Sequence, residues 1–380
     1  LSFYASMNDK VTRNLGVTLT DADGEPQSFT FTFEETIKAF TNGQLVMSLG
    51  DRSISIEELA PDIAFVHLPL IEQLECKECI GEGGFGVVYK GVMDGSKTVA
   101  IKELKGDVSS QVFIEFAHEV YIMSRLNHPN LVNIFGISLN PLSMVLEFIP
   151  NESLYHHIHD KNLSDSQFSW RVRTRIIIDV VKGLNYLQTM QPPIVHRDLR
   201  SPNVFINSLS ADADILAKLG DFGLAQFTTL SLNEALKTFQ CLAPEILDDS
   251  EGTRYDHKSD IYSLGILIWE IIAREHPFEE FKQYTAHREE TLNDTQVNDK
   301  EFVKKLEQSG WEVNGNIATF SEWKLQEIKT AIIDEHLRPT IPRSCPPALS
   351  QMMQQCWLKD PDDRMWLGDA LDLLQEFLAS

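Results

Sequence analysis

Hydrophobic and polar positions follow two rhythms along the chain, and the change between them divides the sequence. In residues 1–70 the apolar positions come singly. Phe29, Phe31 and Phe33 alternate with Ser28, Thr30 and Thr32, the period of two that gives a strand one apolar face. Residues 44–47 and 53–56 read as further short strands, set off by Asn42-Gly43 and Gly50-Asp51 turns. No cluster of reactive side chains accompanies them, so this segment is expected to be an extension, or the remnant of a preceding domain.

From about residue 71 the pattern becomes regular. Ile80 and residues 87–89 read as strands either side of a glycine-rich turn, with a third strand at 98–102. Residues 112–126 place Phe113, Phe116, Val120 and Met123 on one helical face, and 145–148 form a short apolar strand. Over 171–187, Val172, Ile176, Ile177, Val180, Val181, Leu184 and Leu187 make a wide helical stripe, and helix dominates thereafter. A strand-rich front joined to a helical back predicts an α+β chain of two lobes with a ligand cleft between them. Residues from about 283 to 321 interrupt this with polar and charged positions. They are expected to be a solvated insertion, partly helical around 301–308.

Composition narrows the function classes. At 380 residues, 43% hydrophobic and 23% charged, the chain can bury a large core and is neither collagen-like nor wholly disordered. Its richest apolar run, residues 261–273, is broken by Ser263 and Glu270 and is too short for a membrane span. The net charge of −23 repels a phosphate backbone, which excludes bulk nucleic-acid binding and leaves room for a local nucleotide pocket. Five cysteines in no dense framework suit a reducing compartment, so a cytoplasmic location is expected. The opening LSFYASMNDK has neither an initiator Met nor a signal-peptide pattern, so the chain is expected to be a piece of a longer protein.

Candidate chemistry begins at Gly81-Glu82-Gly83-Gly84-Phe85-Gly86. Alone this is weak: a dinucleotide site, a phosphate-cradling hairpin and an ordinary hairpin all fit. Val87-Val88-Tyr89 prefers a strand where a dinucleotide site needs a helix, which removes the first. Val99-Ala100-Ile101-Lys102 ends an apolar strand with a lysine able to reach phosphates. Glu119 borders the buried face of its helix, three residues after Phe116 and four before Met123, and needs a cation; Lys102 is the candidate.

With His196-Arg197-Asp198-Leu199-Arg200-Ser201-Pro202-Asn203, then Asp221-Phe222-Gly223 and Ala243-Pro244-Glu245, the chain resembles a eukaryotic protein kinase over roughly residues 75–380. The resemblance implies a bilobal fold, with a β-rich N-lobe at 71–147 and a helical C-lobe at 151–380, following the short β-containing extension. It implies ATP and Mg²⁺. Ile80, Gly81, Glu82, Gly83, Gly84, Phe85 and Gly86 would arch over the nucleotide, and Lys102, paired with Glu119, would hold phosphates. Asn203 and Asp221 would bind Mg²⁺, and Asp198 would accept the hydroxyl proton. Val88 and Ala100 would roof the adenine, Phe205 would floor it, and Glu147 and Phe148 would meet it at the hinge behind Leu146. Asp260 resembles the helix aspartate supporting the catalytic loop, and Arg364 the arginine that pairs with Glu245. Met365 stands where proline is usual.

Arg200 is a tyrosine-kinase-like choice, whereas Thr238 matches the threonine of Ser/Thr kinases; together they resemble the tyrosine-kinase-like group, which acts on Ser and Thr. Within it, Asn127-His128-Pro129-Asn130, Pro192-Pro193-Ile194-Val195, the Arg200–Asn203 loop and Arg338-Pro339-Thr340 resemble the kinase domains of Roco proteins. Those carry a Roc GTPase and a COR domain, which implies regulation from outside this segment and leaves room for a dimer. Cys241-Leu242, where Trp-Met is common, departs from that family. Protein substrates are implied, and the acidic balance favours basic peptides. Thr228, Thr229 and Ser231 are candidate phosphate acceptors that Arg197 could read. The rivals are a catalytically silent ATP-binding scaffold and a tyrosine or dual-specificity kinase; the presence of Lys102, Glu119, Asp198, Asn203 and Asp221 argues against the first. Cys76 and Cys79 form a C-x-x-C without a second pair, their odd spacing pointing to opposite faces of a strand. His156, His157 and His159 are expected to be a solvated helix start rather than a metal site.

Overall fold

The computed structural model describes four strand segments between residues 14 and 55, then residues 68–82, 86–104, 110–139, 141–223, 225, 239–248, 256–279 and 325–380. Gly83, Gly84, Phe85, Thr228, Thr229, Ser231, Thr238 and the insertion at 283–321 lie outside the described residues. The chain divides into two compact units, Leu1–Ile149 and Pro150–Ser380.

In the first unit, β1 (Asn14–Thr20) and β2 (Pro26–Thr32) pair antiparallel, with Val17 opposite Phe29 and Leu15 opposite Phe31. Phe29 and Phe31 of the alternating phenylalanines therefore do lie on a strand, while Phe33 lies outside the described residues. The partner β1 was not apparent from the sequence. β3 (Val46–Leu49) and β4 (Arg52–Ser55) pair antiparallel, with Leu49 opposite Arg52, so the two strands are displaced by two residues and one residue respectively from the apolar pattern.

The main sheet runs β5 (Leu74–Glu82), β6 (Gly86–Met93), β7 (Lys97–Leu104), β9 (Leu142–Glu147), β8 (Ile134–Leu139), all antiparallel. Cross-strand partners share a face. Val88 stands opposite Lys102 and Ala100 opposite both Lys90 and Leu146, so these five residues share one side. Val99, Ile101 and Val145, all 0% exposed, take the other and pack with Leu74, Tyr89 and Phe135. Helix α1 (Ser110–Ser124) buries Phe116, Val120 and Met123, matching its helical stripe. A β-bulge between Cys76 and Glu78, and another between Cys79 and Gly81, interrupt the alternation on which an opposite-faces reading of the two cysteines depends.

The second unit is helical. Helix α2 spans Leu154–His159 and α3 spans Trp170–Thr189, the latter capped by Ser169 accepting from Val172 N. The short β10 (Val204–Ile206) and β11 (Ala217–Leu219) pair, followed by α4 (Pro244–Leu247) and α5 (His257–Ala273). Then come α6 (Leu325–Asp334), α7 (Pro347–Cys356) and α8 (Leu367–Ala379). Helix α5 is buried nearly all round, from Lys258 to Ile272, as a central core helix must be. At Gly265 it packs so closely on α7 that an added Cβ would stand 2.9 Å from Cys356 Cβ. A sheet-based unit and a helical unit make the α+β class of a bilobal kinase. Among the described residues no helix is long and apolar enough to cross a membrane.

Candidate active site

In the first unit the described glycines of the motif lie on β5 and β6. Gly81 pairs with Val88, and a Cβ added there would meet only Val88 Cβ at 3.8 Å. Gly86 differs: its Cβ would come within 2.2 Å of Glu103 O, so β6 and β7 approach at a distance only glycine allows. Ile80 is 46% exposed and Glu82 is exposed.

Lys102 lies on β7, on the face shared with Val88, Ala100 and Leu146. Its Nζ donates to Glu119 Oε1 at 2.7 Å and Oε2 at 2.9 Å, and Glu119 on α1 is 5% exposed. A carboxylate buried that deeply costs several kcal/mol without a partner, so the pair fixes where the ammonium sits. At the end of β9, Glu147 N donates to Asn133 O at 2.9 Å, and Glu147 Oε2 accepts from Asn133 Nδ2 at 2.9 Å. That N–H is therefore committed within the first unit, so any hinge hydrogen bond from Glu147 to a base would come from its carbonyl. Phe148 follows with Lys90 Nζ 4.8 Å from its ring centre.

In the second unit the loop of residues 196–203 is held from below by α5. Asp260 accepts from His196 N at 2.7 Å and from Arg197 N at 2.9 Å. Burial pushes its carboxyl up, opposed by His196 and by these two N–H groups. The clamp holds Arg197 at φ 67°, in the left-handed region that costs a non-glycine residue about 1 kcal/mol or more. His196 is fully buried, its Nε2 3.1 Å from Gly220 O and its ring 5.1 Å from that of Phe222. Asp221 between them has φ 61°.

Asn203 Nδ2 donates to Asp198 O at 2.9 Å and to Asp198 Oδ2 at 2.7 Å, while Arg200 Nε lies 3.0 Å from Asp198 Oδ1. Both carboxylate oxygens are thus aimed. Phe205 sits half-buried on β10, opposite Lys218. Arg364 meets Glu245 through two bonds of 2.7 Å, as the sequence led one to expect.

Three supports were missed. Ser201 Oγ donates to Glu270 Oε1 at 2.7 Å, tying the loop to α5 a second time. Asp179 Oδ2 accepts from Leu216 N and Ala217 N, pinning β11 to α3. Cys241 is anchored through its carbonyl, which accepts from Ser263 Oγ at 2.7 Å. Its thiol is pushed up by burial and by Glu270 and Asp198. A signal existed for two of these. Glu270 and Asp179 are carboxylates interrupting apolar helical stripes, and such a group must be satisfied from elsewhere in the fold.

A strand-borne lysine paired with a helix glutamate in the first unit, and an aspartate aimed by an asparagine in a strained loop of the second, are the residue arrangements that the protein kinase class carries. The family model described as protein tyrosine and serine/threonine kinase matches residues 74–374, and the chain belongs to that family. Among curated relatives, probable serine/threonine-protein kinase roco11 of Dictyostelium discoideum is 38% identical over 82% of this chain and 19% of its own length. Probable serine/threonine-protein kinase qkgA, from the same organism, is 33% identical over 89% of this chain and 21% of its own length. Probable serine/threonine-protein kinase SIS8 of Arabidopsis thaliana is 37% identical over 60% of this chain and 22% of its own length. The chain thus spans about a fifth of the length of these relatives.

Proposed function

We propose that the chain transfers the γ-phosphoryl group of MgATP to serine and threonine hydroxyls of protein substrates. The observation that carries this is the closed Lys102–Glu119 pair, with Nζ within 2.9 Å of both carboxylate oxygens. A nucleotide-binding scaffold has no need to hold an ammonium at one point against a buried carboxylate; a phosphoryl-transfer site does.

The donor set fits Mg²⁺, which favours hard oxygen ligands and few protein groups. Asp221 offers a carboxylate. Asn203 spends its amide N–H groups on Asp198, which leaves its amide oxygen available to a cation. Bound Mg²⁺ supplies charge neutralisation across the phosphates. The remaining work falls to the chain. Gly81 and Gly86 keep β5 and β6 bare of side chains near the phosphates, and Lys102 binds phosphate oxygens. Val88, Ala100 and Phe205 offer apolar contact to the base. Asp198 accepts the substrate hydroxyl proton on the carboxylate that Asn203 and Arg200 orient, and Arg200 lends positive charge beside it. The names of the relatives support serine and threonine specificity, and their roughly fivefold greater length supports regulation by domains outside this chain; a cytoplasmic location is part of the same proposal.

The test is transfer from labelled MgATP to a generic basic protein, with Asp198→Asn alongside and the labelled residues located by mass spectrometry. Incorporation that vanishes in the variant and falls on Ser and Thr supports the proposal. Tight MgATP binding without incorporation refutes it in favour of the scaffold, and label on Tyr refutes the specificity.

A further inference from the structure

Helix α2 ends at His159, α5 carries Glu270 in its last turn, and the chain turns back through left-handed Arg274 (φ 56°) to His276. These three residues converge. His159 Nε2 lies 3.0 Å from Glu270 Oε1, and the rings of His159 and His276 stack with centres 4.0 Å apart and planes 17° apart. One donor atom from each residue lies within 4.8 Å of the others. Glu270 is 4% exposed, and Ser201 Oγ steadies its Oε1 at 2.7 Å.

Satisfying a buried carboxylate does not require this arrangement. Ser201 and His159 already give Glu270 two partners, and the second imidazole is surplus to that need. Arg274, the cation on the same turn, donates instead to the carbonyls of Ile158, Asp160 and Leu163. Solvent reaches the cluster from two sides. His276 lines a cavity of about 330 Å³ with Tyr155 and Cys241, and a second of about 700 Å³ with Asp160 and Lys161.

We propose that His159, Glu270 and His276 form a site for one divalent transition-metal ion of the zinc class. Two imidazoles and a carboxylate are a borderline donor set that suits such ions and not Mg²⁺ or Ca²⁺, which favour oxygen. Metal bonds of about 2.0 Å place tetrahedral donors about 3.3 Å apart. His276 is exposed and His159 mostly buried; the site reaches that spacing as their side chains turn about their torsions, His276 leaving the stack, and water fills the fourth position. The serine on Glu270 supplies the outer-shell hydrogen bond that such ligands use. Because that serine belongs to the loop bearing Asp198, occupancy bears on the candidate active site.

The test titrates the whole chelator-stripped chain with ZnCl₂ calorimetrically, and separately with CoCl₂ by visible absorption. His159→Gln and His276→Gln run in parallel, with thermal melts in chelator as the folding control. Wild type takes up one equivalent at this site, excess MgCl₂ does not displace it, and each variant binds at least about tenfold more weakly while melting unchanged. No uptake by wild type, or undiminished uptake in either variant, overturns the proposal. Ions held only by Cys76 and Cys79 would give that second result. The readout is metal occupancy, so it stands apart from phosphoryl transfer.

Discussion

Glu245→Gln isolates one charge in the second unit without changing volume. Arg364 is 0% exposed at its side chain, and its five N–H groups are all used. Two meet Glu245 at 2.7 Å; the others meet Leu358 O at 2.9 Å, Lys258 O at 2.8 Å and Lys359 O at 3.2 Å. Glutamine keeps one acceptor and turns an NH₂ toward the other N–H, stranding a buried guanidinium. Breaking a buried pair costs about 3–5 kcal/mol. The lower end applies, because Glu245 is 22% exposed and three carbonyls still hold the cation. A loss of about 3 kcal/mol follows, read by far-ultraviolet circular dichroism in a urea titration as a midpoint shift of about 1 M at unchanged slope. Arg364→Met removes the charge instead and leaves three carbonyls unmet, about 1 kcal/mol each. The double variant should therefore fall well short of the sum of the two. A Glu245→Gln loss below about 1 kcal/mol, or no larger than that of exposed Glu376→Gln on α8, would refute the reasoning.

The two described motif glycines should behave differently. Gly86→Ala forces Cβ toward Glu103 O and should lower stability by about 1–3 kcal/mol in the same titration, whereas Gly81→Ala, with 3.8 Å to spare, should stay near wild type. Lys102→Arg keeps the charge beside Glu119 but replaces a compact ammonium with a fork; phosphoryl transfer should drop by about 10²–10³ while the melting temperature holds within a few degrees. Alkylation by iodoacetamide at about pH 8 should label exposed Cys76 and Cys79 quickly. Cys345 and Cys356, both pushed up to about 12 chiefly by burial, should lag, their rates climbing about tenfold per pH unit toward that value. Equal labelling of all five in the folded chain, followed by mass spectrometry, would contradict the burial.

What could be read in advance depended on how far apart in sequence the cooperating residues stand. Helix α3 and strand β7 were legible because their apolar periods are local, and the glycine turn, Lys102 and Asp198 because phosphoryl transfer restricts those positions to few residue types. Strand registers were less legible. A bulge beside Cys76 shifts a strand by a residue without altering its composition. The histidines show the limit most clearly. Considered as neighbours, His156, His157 and His159 look like one polar group at a helix start. In the fold His157 Nε2 turns to Asn151 O, His156 meets exposed Glu152, and only His159 meets Glu270 on α5 and His276 just beyond its end, more than a hundred residues on. Sequence proximity grouped the wrong partners, because a two-turn helix sends its successive side chains in different directions. Glu270 carried the clue. A carboxylate inside the apolar run 261–273 must be met by donors from other elements, and searching for those donors leads to both Ser201 and the histidine pair.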